Sequence, residues 1–239
     1  MTKIEWCDLT INPITGCLNN CGPWCYARGY ARRLAGMERK HSGSTGYPTT
    51  GDPFRPTFHP DKVQQILSLK GEGKRIFLDS MGDWFSPGVE FDWIWQVVGA
   101  VKQKPEHTFL VLTKRPDRIG EVLERLDVPA NLWLGTSITK QGDLERVEWL
   151  KKHVSGHKFL SIEPLHGPID VDLTGIGWVI VGAETGNRRG KIEPNPEWVE
   201  SIRKEVDRLG IPVFLKDNLR PFLPAGCSHL QHYPSLARS

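Results

Sequence analysis

The sequence predicts an α/β fold: a single-domain partial or complete (β/α) TIM-like barrel with parallel strands. Three observations carry this. Short, continuous apolar runs recur along the chain: RIFLDS (75–80), TFLVLT (108–113), LWLGTS (132–137), KFLSIE (158–163), WVIVGAE (178–184) and PVFLKD (212–217). Helix-like stretches separate most of them. Nearly every run ends in polar residues.

Each run has the length and unbroken apolar character of a strand covered on both faces, as in parallel sheets. LTINPITG (9–16) reads as a first strand and YARGYARRLAG (26–36) as a helix. Residues 41–59 are rich in Gly, Pro, Ser and Thr and read as a long loop insertion. Helices are expected over 61–71, 92–104, 115–126, 142–153 and 195–210. The segment 164–177 is shorter and less regular, and the chain becomes irregular from about 219. Residues 1–239 read as one domain.

Composition agrees with a packed enzyme-sized domain: 38% of residues are hydrophobic and 25% charged, with a net charge of +3. That mildly basic balance permits a phosphate-bearing or nucleic-acid partner without arguing for one. No apolar run reaches a membrane span, and MTKIEWCDLT has no apolar stretch to act as a signal peptide. A cytoplasmic location and no membrane partner are expected.

Three of the five cysteines, Cys17, Cys21 and Cys25, lie within nine residues in C-x3-C-x3-C spacing. In a reducing compartment such a cluster points to metal rather than disulfides. Gly16, Gly22 and Pro23 give the loop turn capacity. Zinc wants four ligands, and no fourth Cys or His lies nearby. An iron–sulfur cluster on three thiolates leaves one iron open to a small molecule. Spacing alone leaves these readings, and that of incidental buried thiols, open. CSHLQH, with Cys227, His229 and His232, is metal-like but lacks a second ligand pair.

In a (β/α) barrel the strand ends converge on one face, where active sites sit. The polar ends are Asp79, Ser80 and Asp83; Thr113, Lys114 and Arg115; Thr136 and Ser137; Ser161 and Glu163; Glu184 and Thr185; Lys216, Asp217 and Asn218. Lys114 and Arg115 suit a carboxylate or phosphate. Glu163 and Glu184 suit a ribose, an amino group or the substrate, or else form a buried ion pair with Lys216. Trp84 and Phe85 are candidates to line the site.

A three-cysteine loop after the first strand of such a barrel resembles the radical S-adenosylmethionine superfamily. Its common spacing is C-x3-C-x2-C, so Cys25 stands one residue late, and Tyr26 follows it. Over residues 4 to 218 the segments IEWCDLTINPITGC, CYAR, FLDSMGDWF, HTFLVLTKRP, LWLGTSI, FLSIEPLHGPID, WVIVGAETG and PVFLKD are similar to an uncharacterised phage-associated radical-SAM-like protein family. That family's cysteine spacing is wider at first and tighter afterwards.

The resemblance implies a [4Fe–4S] cluster on Cys17, Cys21 and Cys25 and S-adenosyl-L-methionine as cofactor. It also implies reductive cleavage to a 5′-deoxyadenosyl radical and hydrogen abstraction from an unknown small-molecule or nucleic-acid-derived substrate. It implies an electron donor such as flavodoxin or ferredoxin. The cofactor-binding set is then Tyr26, Ser80, Asp83, Lys114, Ser137, Glu163, Glu184 and Lys216, with Ser80 and Asp83 toward the methionine amino group and Ser137 toward ribose or carboxylate. The rival expectation is a non-catalytic, zinc-stapled nucleic-acid-binding protein.

Overall fold

The structure is a computed structural model and describes residues 4–22, 25–43, 45–186, 189–224 and 228–235. In chain order its elements are β1 (Leu9–Ile11), β2 (Ile14–Thr15), α1 (Tyr26–Lys40), β3 (Thr57–Phe58), α2 (Pro60–Leu67), β4 (Arg75–Leu78), α3 (Phe91–Lys102), β5 (Thr108–Thr113), α4 (Ile119–Leu123), β6 (Leu132–Ile138), α5 (Glu145–His153), β7 (Lys158–Ile162), β8 (Trp178–Val181), α6 (Pro196–Leu209) and β9 (Val213–Leu215).

Seven strands form one sheet in the order β1-β4-β5-β6-β7-β8-β9, and every neighbouring pair is parallel. The sheet curls into a half-barrel. Among the described residues β1 and β9 are not paired with each other, so the partial form of the expected barrel is the one observed. The β9 edge is covered by the C-terminal segment: Leu215 N–H donates to the Leu230 carbonyl at 2.7 Å and His232 N–H to Val213 at 2.9 Å.

Alternation along the strands builds two apolar layers. The outward-facing residues, such as Leu78, Val111, Leu134 and Val179, pack against α3, α5 and α6 through Val97, Val101, Val147, Leu150, Ile202 and Val206. The inward-facing residues Phe77, Leu110, Trp133, Phe159, Trp178 and Phe214 fill the base of the concave face together with Trp6. Trp6 lies 4.6 Å from Phe77 and Tyr233 lies 5.3 Å from Phe214, ring centroid to centroid. The concave base is therefore filled by aromatic rings.

Several expectations need correction. The first strand is not continuous over 9–16. It breaks after Ile11, and β2 pairs antiparallel with β3 in a separate two-stranded sheet. Pro13 has no N–H to continue a ladder, and the Ile14 N–H is taken by the Asp79 carboxylate at 2.7 Å. The loop insertion at 41–59 thus contributes a strand, β3, and is anchored. The helix expected over 115–126 is a short 3-10 turn (Pro116–Arg118) leading into α4, and α5 is likewise preceded by a turn at Gln141–Asp143. Residues 164–177, expected to be short and irregular, do form no helix. Buried Leu165, Ile169, Val171 and Leu173 cover the outer sheet face in its place. By contrast α6 follows its sequence signals: the Asn195 side chain caps the Glu197 N–H, Pro196 opens the helix and Gly210 ends it at φ 66°. No described helix is long and apolar enough to cross a membrane.

Candidate functional site at the strand ends

Two residues beyond the aromatic base, the same strand face becomes polar. On β6 the inward series runs Trp133, Gly135, Ser137; on β7, Phe159, Ser161, then Glu163; on β9, Phe214, then Lys216. Ser137 and Ser161 are register partners. On β5 the series Leu110, Leu112 leads to Lys114. The structure therefore brings Lys114, Ser137, Glu163 and Lys216 to one concave mouth, as the strand-end pattern predicts.

Within the mouth, Glu163 and Lys216 form an ion pair across the end of β8. Gly182 makes room for it: a Cβ there would stand 2.9 Å from Lys216 Cδ and 3.1 Å from Glu163 Cδ. Glu184 does not share that pair. Its Oε2 lies 3.1 Å from His166 Nε2, in the segment that the sequence marked only as irregular. Asn218 clamps the Ala183 backbone, accepting from its N–H at 3.0 Å and donating to its carbonyl at 2.8 Å. Lys114 is half-buried, and its ammonium has no carboxylate partner among the described residues. Arg115 instead turns to the surface and holds Asp117 in a two-pronged pair.

The cysteine loop closes the other side. It leaves β2 at Gly16, whose φ is +80° and where a Cβ would fall 2.2 Å from the Arg55 carbonyl oxygen. Only glycine fits this close approach. Gly16 N–H donates to Met81 at 2.8 Å and Cys17 N–H to Phe54 at 3.0 Å, so the loop is held between the SMGD turn (80–83) and the 41–59 segment. It bends at Asn20 (φ 48°) and Gly22 (φ 91°) and ends with Cys25 as the N-terminal flanking residue of α1.

Cys17, Cys21 and Cys25 are free thiols. Burial pushes the Cys17 thiol up to about 11; Asp83, Cys21 and Cys25 add to this, while a bond from the Asn19 N–H opposes it. Burial also raises Cys21, and Lys114 opposes that most. Cys17 thus senses Cys21 and Cys25, and Cys21 senses Cys25 and Lys114. Among the described residues no three His, Cys, Asp or Glu side chains are grouped closely enough to hold a single metal ion. Cys7 lies apart, in the aromatic base. Cys227 lies outside the described residues. His229 Nε2 stands 3.7 Å from the Asp217 carboxylate, and the His232 carbonyl accepts from Trp178 Nε1 at 3.0 Å.

The SMGD turn braces this loop. Asp83, buried, accepts four hydrogen bonds: Asn19 Nδ2 at 2.6 Å, Thr113 Oγ1 at 2.7 Å, Lys114 N–H at 2.9 Å and Phe85 N–H at 3.1 Å. Those occupy the carboxylate's acceptor positions. Ser80 donates to Asn12 Oδ1 at 3.0 Å, and its carbonyl accepts the Tyr26 hydroxyl at 2.5 Å. Tyr26 is 65% exposed, yet its hydroxyl is lodged on that turn; burial there, then Glu163, raises its pKa. Asp79 accepts from Ile14 N–H and Trp84 Nε1–H, and burial raises its pKa well above the carboxylate range. Trp84 and Phe85 therefore do not line the mouth; both are packed in the outer core.

Sequence reasoning missed Asn12, Asn19, Arg146 and His166. Asn12 follows β1 as the other polar residues follow their strands, so the same signal could have found it. Arg146, which donates to the Ser137 carbonyl at 2.9 Å and tempers Cys21, is placed only by tertiary packing.

No curated protein and no solved structure matches the chain. A family model described as protein of unknown function (DUF5131) matches residues 1–220. With that match spanning nearly its whole length, the chain belongs to the DUF5131 family.

Proposed function

We propose that this chain is a radical S-adenosylmethionine enzyme in which Cys17, Cys21 and Cys25 are the protein ligands of a [4Fe–4S] cluster. One observation carries the reading: three unbridged thiols at the polar mouth of an open parallel half-barrel. The donor set fits the group, because three thiolates bind three irons and leave the fourth for a chelating small molecule. When bound, the cluster supplies one-electron cleavage of S-adenosylmethionine to a 5′-deoxyadenosyl radical that abstracts hydrogen from a substrate.

The chain's own residues do the rest. Lys114 offers an unpaired, half-buried ammonium to a carboxylate. Ser137 and Ser161 present hydroxyls on adjacent strands to a ribose or carboxylate. Glu163, neutralised by Lys216, and Glu184, bonded to His166, offer acceptors to hydroxyl or amino groups. Asp83 orients the cysteine loop, since its acceptor positions are filled, and Ser80 with Tyr26 ties α1 to the SMGD turn. The aromatic base shuts the far end of the barrel against water. The partners of this reading are an electron donor such as flavodoxin or ferredoxin and a small-molecule or nucleic-acid-derived substrate. A cytoplasmic setting would keep the thiols reduced.

Anaerobic reconstitution tests it. The expected product is brown, absorbs broadly near about 400 nm and forms 5′-deoxyadenosine with dithionite and S-adenosylmethionine. Cys25→Ala is expected to lose the iron and Cys7→Ala to keep it. A colourless, zinc-loaded protein would overturn the proposal, and equal iron loss in both variants would overturn the ligand assignment.

A further inference from the structure

Helix α1 carries more than the cysteine loop. Its inner face is Ala27, Ala31 and Ala35, all buried. Its outer face is a stripe at helical spacing: Tyr26, Tyr30, Arg33, Met37 and Lys40, every one exposed. Large apolar side chains normally turn inward, and an exposed run of them marks a contact surface. Tyr26, Tyr30 and Met37 are 65%, 45% and 47% exposed. The Arg33 guanidinium lies 5.6 Å from the Tyr30 ring centroid, a cation and a π-face displayed together.

The charge on this helix is one-sided. It holds Arg28, Arg32, Arg33, Arg39 and Lys40 against a single acid, Glu38. Arg28 is committed to Asp52 at 2.8 Å. Glu38 stays charged but accepts from the N–H groups of Gly43, Thr45 and Gly46 and forms no ion pair with the outer cations among the described residues. Arg33 and Lys40 remain as exposed positive charge on the stripe, while Arg32 and Arg39 stand on the flank of the helix, where Arg39 donates to the Thr49 carbonyl at 3.3 Å. Beyond the last turn, Arg39 and Arg55 line a cleft of about 620 Å³ with Glu38, Thr49, Thr50 and Thr57. At its first residue the stripe begins beside Cys25, at the mouth.

From this we infer that the outer face of α1 is a docking surface for single-stranded nucleic acid, with bases stacked on Tyr30 and Tyr26 and phosphates on Arg33 and Lys40. Exposed flat rings interleaved with cations match a strand whose bases are unpaired. An acidic protein surface would use the cations but not the rings. A helix of 15 residues offers about 22 Å of track, room for a few nucleotides. The inference is separate from the cluster reading, because it concerns the helix surface and its test requires no iron.

Fluorescence anisotropy of the full chain with labelled 20-mers of oligo-dT and oligo-U measures it. Saturable binding is expected, with log K falling against log salt at a slope of about −1.4 for about two phosphate contacts. Tyr30→Ala is expected to weaken binding about tenfold at unchanged salt slope. Arg33→Glu with Lys40→Glu is expected to weaken it and flatten the slope. Trp95→Ala, another exposed aromatic but on α3, is expected to change nothing. The inference is overturned by an absence of saturable binding at low salt, by a Tyr30→Ala protein that binds as the parent does, by equal binding of duplex, or by displacement of the oligomer by polyglutamate at equal charge. The last outcome would assign the face to an acidic protein. A preference for one oligomer over the other supports it and names the strand.

Discussion

Asp83 shows how one side chain can brace a loop through several bonds at once. Its four donors come from the cysteine loop, the end of β5 and its own turn. In Asp83→Asn the amide nitrogen faces two former donors. Asn19 can answer by turning its amide, because its Oδ1 is buried and unpartnered, but the Lys114 N–H cannot. The expected cost is about 1–3 kcal/mol of stability, read by denaturant unfolding, with slower iron uptake as the loop loosens. An unchanged unfolding midpoint would show that the four bonds add nothing net. Glu38 gives a pH-dependent counterpart. Its bonds to the Thr45, Gly43 and Gly46 N–H groups, the first being the strongest, hold its carboxyl at about 2, below the 4.5 of a free glutamate. A lowered carboxyl pKa stabilises the folded loop above the free value and ceases to do so as pH falls through about 2. The protection factors of the Thr45 and Gly46 amides, their exchange rates taken against an unstructured amide at the same pH, are therefore expected to fall between pH 4.5 and 2. Glu38→Gln should give the low protection factors at every pH.

At the scale of the element, α1 is under two demands. Its alanine face lets the backbone come close to Cys17, Phe54 and Met81. Its interior also contains Gly29, where an added Cβ would meet nothing within 4 Å. The fold does not require glycine there, and glycine is a poor helix former. Gly29→Ala is expected to stabilise the protein by about 1 kcal/mol, a rise in unfolding midpoint of about 2–4 °C in a scanning calorimeter. The mouth's ion pair behaves oppositely. Lys216→Met strands the Glu163 carboxylate, which is only 24% exposed. The expected loss lies between that of an exposed and a buried pair, about 1–3 kcal/mol by the same measurement.

Over the whole molecule the half-barrel separates support from site. The base is aromatic and closed by residues from both ends of the chain, Trp6 and Tyr233, while the mouth is polar. Trp6→Ala opens a cavity under Phe77 and Trp178 and is expected to cost about 3–5 kcal/mol. Because the base and the cysteine loop do not touch through Trp6, the iron bound per folded molecule after reconstitution should be unchanged. Iron loss at unaltered stability would show that base and mouth are coupled.

The sequence by itself determined the parallel α/β class, the run of β5 at Thr108–Thr113, the capped α6, the cysteine cluster and the polar mouth. Each depends on period-2 or period-3.6 patterning, on a cap, or on residues a few positions apart, and such signals are local. Tertiary structure alone decided that the barrel stays half open and that Pro13 diverts the first strand into a second sheet. It also made Asp79 and Asp83 clamps, turned Trp84 to the core, and paired Glu163 with Lys216 and Glu184 with His166. These outcomes join residues far apart in the chain, and they follow from strand register and sheet curl. A pattern of residue types cannot state which of several carboxylates faces which cation until the backbone has brought them together.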